Sequence, residues 1–407
     1  MTLLMTSGVN ALCYQKNSER IMLHLEDPIA LAMQLMKEPS VTPDAAGCFD
    51  LLEQWLGALG FKVWREVFHE EGFAPTENLY ARLGDSAPNL CFAGHVDVVS
   101  AGDMAAWTHP PFEPVIHDGV LYGRGAEDMK GAIASMVAAV AQLIQSRAWT
   151  PAQGSLSFLL TADEEGIAIN GTPKMLTWLK ERGETLDFCM VGEPTNPNQL
   201  GDMCKIGRRG SLLCKLEVQG VQGHVAYPER ADNPITALVA MLHRLKTTQL
   251  DTGNAYFQPS NLEITTIDVG NLSENMIPAT ARAEFNIRFT NHYNGESLIE
   301  WVRAQCNAVG HAYTLKTRIS GESFFTGEGV LSEALVTAVE KVTGKTPELS
   351  TTGGTSDARF IKDFCPVIEF GTTGHTPHKV NECVQLDVLI GLRDVYREFV
   401  VELFTSR

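Results

Sequence analysis

Short, strongly apolar stretches recur along this 407-residue chain, and polar groups of one chemical kind stand just past several of them. Residues 90–93 (Leu-Cys-Phe-Ala) run up to His95, residues 156–160 lead to Glu164 and Glu165, residues 188–191 to Glu193, and residues 366–370 precede His378. Stretches that are apolar at nearly every position, rather than at alternate ones, mark strands buried on both faces of a parallel sheet. Helical spacing precedes and separates them, with Ile29, Met33 and Met36, then Leu52, Trp55, Leu56 and Leu59, and, between the first two runs, Ile133, Met136, Val137, Val140 and Ile144. Strands and helices alternating to about residue 191 predict an α/β domain, a mainly parallel sheet covered by helices. Ligands of such sheets gather beyond the carboxyl ends of the strands.

The periodicity changes near Lys205. Residues 211–219 place Leu212, Cys214, Leu216 and Val218 at alternate positions, the pattern of a half-buried antiparallel strand. A helix over 234–246, strands over 262–269 and 281–289, and a helix over 297–308 follow, which together predict an α+β unit of ferredoxin-like type. Past residue 321 the α/β pattern returns and supplies His378. The first domain, 22–207 and 322–407, is therefore expected to be interrupted by a second at 208–321, with residues 1–21 as an N-terminal extension.

Composition narrows the partners. A net charge of −17 leaves no basic stripe for nucleic acid. Single arginines (Arg208, Arg209, Arg288) can still receive an anionic small molecule. The nine cysteines form no C-x-x-C pair, and Cys91, Cys189 and Cys365 fall in or beside apolar runs and read as small buried hydrophobes, so a reducing cytoplasm is expected. No apolar stretch approaches the roughly 18 residues that span a bilayer, and the first twenty residues lack the features of a signal peptide.

The polar groups at the strand ends carry the chemistry. Two His (His95, His378) and three carboxylates (Asp128, Glu165, Glu193) form a donor set of borderline hardness, suited to a carboxylate-bridged pair of Zn, Co or Mn ions. Asp97 lies on the same side of an extended segment as His95, where its carboxylate can take the other ring N–H. Asp128 opens a helix, so it reads either as a ligand or as an N-cap. Glu164 and Glu165 point to different sides of a strand end: one can bind metal while the other reaches a water, as a general base must. The bland reading of this pair is a solvated acidic turn. His375 competes with His378. His224, in the inserted domain, is either structural or delivered to the site by a partner chain.

Residues 95–99 (His-Val-Asp-Val-Val), 123–131 (Gly-Arg-Gly-Ala-Glu-Asp-Met-Lys-Gly) and 163–166 (Asp-Glu-Glu-Gly) resemble the co-catalytic di-zinc aminoacylase and carboxypeptidase family. Further matching stretches lie at 207–211, 222–228, 275–278, 352–360 and 378–384, so the likeness runs from about Met22 to the C-terminus. It implies metal-dependent amide hydrolysis of a small N-acyl diamino acid by a catalytic domain of zinc-aminopeptidase type. The inserted unit would then be a lid and dimerisation domain. Two Zn²⁺ per subunit would be bridged by Asp128, one ion adding His95 and Glu193, the other Glu165 and His378, with Co²⁺ or Mn²⁺ able to replace zinc at one position. The resemblance further implies Glu164 as base, Asp97 as support of His95, and His224 from the partner of a homodimer at the oxyanion. Arg208, Asn275, Arg288 and Thr355 would hold substrate carboxylates, and the Asp128–Met129 peptide would be cis. Two positions depart from the family pattern: Ser100 stands where proline is usual, and Glu127 replaces a small residue beside the bridging Asp. The nearest rival reading is a sister N-acyl amino acid deacylase with the same metals, such as an acetylornithine deacetylase; another keeps the fold as a non-catalytic peptide-binding module, but the intact Glu164 argues against that one.

Overall fold

The computed structural model describes residues 25–405; the proposed extension at 1–21 lies outside them. The chain folds into two compact units. Of the described residues, the first contains 25–206, Thr326–Leu349 and 356–405, and the second contains Gly207–Phe325 with Ser350–Thr355.

At the centre of the first unit four strands lie side by side and parallel: Ser155–Thr161, Asn89–His95, Phe188–Val191 and Val367–Glu369. These are the four apolar runs. Every residue of Asn89–His95 and of Ser155–Thr161 is buried, as strands flanked on both faces must be. Burial of one such Leu or Phe side chain stabilises by roughly 1.5–3 kcal/mol, so a slip of register that exposed a row of them would be costly. Antiparallel strands extend the sheet at both edges, Lys62–Phe68 with Thr76–Leu83 on one side and Met203–Lys205 beyond Val367–Glu369 on the other. Helix Lys130–Ser146 packs on strand Asn89–His95, helix Thr172–Glu181 on Ser155–Thr161, and helix Val330–Thr343 on Val367–Glu369.

The second unit is ferredoxin-like. Its chain order is strand Gly210–Gln219, helix Pro234–Thr247, strands Asn261–Asp268 and Thr280–Phe289, helix Gly295–Asn307 and strand Tyr313–Gly321. The spatial order puts Gly210–Gln219 between Thr280–Phe289 and Tyr313–Gly321, with Asn261–Asp268 at the edge, all antiparallel. That is the order 4-1-3-2 of a split βαβ pair. The expected strand, helix, two strands and helix are present, and Tyr313–Gly321 is an addition. It hides in the sequence because its inward Tyr313, Leu315 and Ile319 alternate with Thr, Lys and Arg and are only half-buried. The core between sheet and helices includes Leu212, Leu216, Met241, Phe285, Ile287, Leu298 and Val302.

Among the described residues no helix is long and apolar enough to cross a membrane, and their eight cysteines are free.

Candidate di-metal site

Because the four central strands are parallel, their carboxyl ends fall on one edge of the sheet, and the polar groups beyond them converge there. His95 is the last residue of its strand, Glu164 and Glu165 follow Thr161, and Glu193 follows Val191. Asp128 sits two residues before helix Lys130–Ser146. Its side chain does not cap that helix, whose N-cap is Met129 without a side-chain bond. The Asp128–Met129 peptide is cis. The tight approach uses Gly125, at φ 85°, where a Cβ would come within 2.9 Å of the Lys130 side chain.

Two sets of potential ligand atoms result, each lying within 4.8 Å of one another: His95, Asp128 and Glu193, and Asp128, Glu165 and His378. Asp128 belongs to both. Its Oδ1 is 3.2 Å from His95 Nε2 and its Oδ2 is 3.4 Å from His378 Nε2. Glu193 Oε1 lies 3.6 Å from His95 Nε2, and Glu165 Oε1 lies 3.0 Å from His378 Nε2. His375 is in neither set; its Nε2 lies 3.2 Å from the Asn198 carbonyl.

Whether these residues suit a cation can be judged from their own bonding. His95 Nδ1 is 2.9 Å from the Asp97 main-chain carbonyl, which can only accept. Nδ1 therefore carries the proton, and the Nε2 lone pair points at Asp128 and Glu193. His95 Nε2 and Asp128 Oδ1 are both buried without a hydrogen-bond partner. Two buried acceptors facing each other at such range are unfavourable unless a proton or a cation lies between them. The electrostatics of the pocket agree. Burial pushes His95 down, but the Asp128, Asp97 and Glu193 carboxylates outweigh it and hold the ring well above its usual value. The Asp128 and Glu165 carboxylates raise His378 to about 10. Burial would lift Asp128, yet the two imidazoles hold it below the usual carboxylate range. The pocket draws positive charge inward, and a metal entering it would displace protons.

Asp97 departs from expectation in one respect. Its carboxylate is 3.6 Å from His95 Nδ1, and the main-chain carbonyl takes the ring hydrogen instead. The carboxylate accepts from the Glu164 N–H at 3.4 Å and the Glu165 N–H at 3.0 Å. Just past a strand end those donors have no ladder partner, and a buried carboxylate is the strongest acceptor nearby. Asp97 thus fixes the chain that carries Glu164 and Glu165. Glu164 enters neither ligand set. Burial, with repulsion from Asp357, pushes its carboxyl up to about 8 against the pull of His95. The charge of Asp357, itself bonded to Thr172 Oγ1 at 2.5 Å, went unassigned in the sequence although it lies in the 352–360 stretch.

The remaining candidates lie in the second unit, where four of them come together in two pairs. His224 is exposed, sits opposite Met276 in a two-residue ladder and accepts from Ala226 N at Nδ1, 3.0 Å. The next residue, Val225, bonds the Asn275 carbonyl at 3.1 Å, so His224 and Asn275 are neighbours. Arg208 is buried and donates from Nη1 to the Gly354 carbonyl at 3.0 Å, beside Thr355. Arg288 pairs in register with Ser211 and Asn261 across two strands.

Residues 91–402, which hold every ligand candidate, match the model of peptidase family M20/M25/M40. The chain belongs to that family. A succinyl-diaminopimelate desuccinylase from Rhodospirillum centenum is 53% identical over 380 residues, 93% of this chain and 98% of the relative. Two solved structures share the fold at low identity. The family M20 metallo-carboxypeptidase Sso-CP2 of Sulfolobus solfataricus has a TM-score of 0.75 at 16% identity, over 94% of this chain and all of the other. YXEP of Bacillus subtilis, a dinuclear metal-binding family M20 peptidase, has a TM-score of 0.67 at 16% identity, over 94% and 98%. Within family M20 this chain is a hydrolase whose candidate ligands form two sets around one shared carboxylate.

Proposed function

We propose that the protein hydrolyses the amide of N-succinyl-LL-2,6-diaminopimelate to succinate and LL-2,6-diaminopimelate, a step of bacterial lysine and diaminopimelate biosynthesis, in the cytoplasm. The observation that carries this is the sharing of Asp128 between two ligand sets with Glu164 outside both, in a chain half-identical to desuccinylases along nearly its whole length. We assign Zn²⁺ to both positions, held by His95, Asp128 and Glu193 and by Asp128, Glu165 and His378. Such a pair supplies Lewis acidity to a water and to the scissile carbonyl. Glu164 takes the proton of the attacking water as the oxygen bonds the carbonyl carbon, then gives it to the leaving nitrogen as the C–N bond breaks. Asp97 holds the main chain of Glu164 in place, and His224 donates to the developing oxyanion. Arg208, Asn275, Arg288 and Thr355 hold the substrate's carboxylates.

The direct test is release of succinate from N-succinyl-LL-2,6-diaminopimelate by metal-free protein before and after addition of Zn²⁺. Zinc-dependent turnover is expected, and no turnover with two equivalents bound would overturn the reading. His378→Ala is expected to leave one ion bound as tightly as before and to weaken the other at least about tenfold, because only one ligand set contains His378. Calorimetric titration showing equal weakening of both would contradict this division of ligands.

Assembly gives a second handle. The edge strand Asn261–Asp268 of the second unit is mostly exposed, as a strand awaiting a partner copy is. If a homodimer forms through this unit and His224 acts in the partner's site, His224→Ala and Glu164→Gln subunits are each inactive alone. Their heterodimer would contain one complete site and recover partial activity. Heterodimers verified by mass that remain inactive would rule out action across the dimer.

A further inference from the structure

Two buried carboxylates that belong to neither ligand set reach past the site in opposite directions. Glu127 stands next to the shared ligand Asp128, yet its side chain turns away from it. Its Oε1 accepts from Thr373 Oγ1 at 2.6 Å and the His375 N–H at 3.4 Å, and its Oε2 from the Thr376 N–H at 2.5 Å and Thr376 Oγ1 at 2.7 Å. Its main-chain carbonyl takes a further bond, from Thr372 Oγ1 at 2.7 Å. Glu382 makes the return journey. Its Oε1 accepts from the N–H groups of Glu127 and Asp128 at 3.0 and 3.1 Å, its Oε2 from the Gly125 N–H at 3.0 Å and from Arg124 Nη1 at 2.8 Å. The loop carrying Asp128 thus fastens the approach to His378, and the chain just after His378 fastens the loop carrying Asp128. Arg124 adds bonds from Nη1 to the Lys379 carbonyl and from Nη2 to the Ser100 carbonyl, both 3.2 Å.

His378 needs such support. Its side chain is exposed, so packing does not hold it, and both it and Asn381 have left-handed backbones, at φ 64° and 60°. Non-glycine residues persist there only where their surroundings over-determine them. The bonds just given to Glu127 and Glu382 all bear on the relative placement of these two loops.

We propose that Glu127 and Glu382 form a reciprocal clasp that sets His378 against Asp128 and thereby tunes the affinity of the second cation position, that of Asp128, Glu165 and His378. Both are positioning residues. The proposal rests on the two-cation reading of the site.

The test is Zn²⁺ titration of metal-free protein by calorimetry, with Glu127→Gln as the variant. A glutamine keeps the bulk but turns an NH₂ or a weaker acceptor toward the Thr376 N–H. The binding event that His378→Ala weakens is expected to fall about 10–100-fold, while the other stays within about twofold, the scatter of independent sites. On a His378→Ala background Glu127→Gln should cost nothing further, because the ligand it places is gone. Glu127→Asp, with its charge kept and its reach shortened, should give a smaller loss of the same event, and it carries the test alone if the glutamine variant does not fold. Equal weakening of both events, or a full additional loss on the His378→Ala background, would overturn the clasp. Wild-type protein that binds a single ion would instead overturn the two-cation reading itself.

Discussion

Glu164→Gln is expected to keep both cations and to lose roughly 10²–10⁴-fold in kcat, the usual worth of a positioned base. Both halves of that expectation follow from placement. Glu164 is absent from the two ligand sets, so removing its charge leaves the coordination intact. Its main chain is held by the Asp97 carboxylate, which bonds the N–H groups of residues 164 and 165, and glutamine leaves those bonds unchanged. What changes is proton affinity. Burial raises the Glu164 carboxyl to about 8 in the metal-free pocket, and nearby divalent cations would bring it down, since opposite charge favours the ionised form. Its carboxylate then lies in the range where a base can accept a proton from a polarised water and return it to an amine. A carboxamide can do neither. Metal analysis and kcat measured on the same preparation decide the matter: a variant with more than about a tenth of wild-type turnover at saturating metal would remove Glu164 from the role.

How much of this was readable in the chain varies with the length scale of the interaction. The four apolar runs gave the parallel strands directly, because a strand buried on both faces has to be apolar at nearly every position and little else looks like that. Once those strands are parallel neighbours, the gathering of His95, Glu165 and Glu193 at one edge needs no further information. The edge strand Lys62–Phe68 was harder to see, since it is half-exposed and its charged residues blur the alternation. Side-chain direction was not legible. Glu127 reads in sequence as a charge added beside the metals; it is instead turned into the loop at 372–376, more than two hundred residues away along the chain. Glu382 and Arg124 likewise meet across 258 positions. Asp97 illustrates the limit at short range: two residues from His95, it uses its main-chain carbonyl where its carboxylate was the natural guess. Periodicity specifies which face a residue lies on, but which of two acceptors wins a hydrogen depends on donors brought in by another strand.

Substrate choice is the second large effect expected, a preference for the succinyl substrate over N-acetylornithine of at least about a hundredfold in kcat/KM. N-succinyl-diaminopimelate carries three carboxylates and N-acetylornithine one, so the outcome turns on the cations assigned to the substrate. Arg208 is buried, with one guanidinium nitrogen engaged by the Gly354 carbonyl, which fixes the orientation of the fork. The main chain of Arg288 is set by strand pairing on both sides, opposite Ser211 and Asn261. A guanidinium placed in this way offers a carboxylate two parallel N–H donors in fixed geometry. When the substrate lacks the carboxylate, the fork-to-carboxylate bonds are not made, and losing one partner of such a charge pair costs about 2–5 kcal/mol. For each missing carboxylate that converts to roughly thirtyfold at the low end and several thousandfold at the high end, since 1.4 kcal/mol is a factor of ten, and N-acetylornithine lacks two of the three, which carries the preference past a hundredfold. Arg288→Lys should erode the preference mainly by lowering kcat/KM for the succinyl substrate, because an ammonium keeps the charge but not the fork. The acetyl substrate, with a single carboxylate to place, should respond less. Comparable kcat/KM for the two substrates in the wild-type protein would remove the succinyl assignment and leave a family M20 deacylase of another specificity.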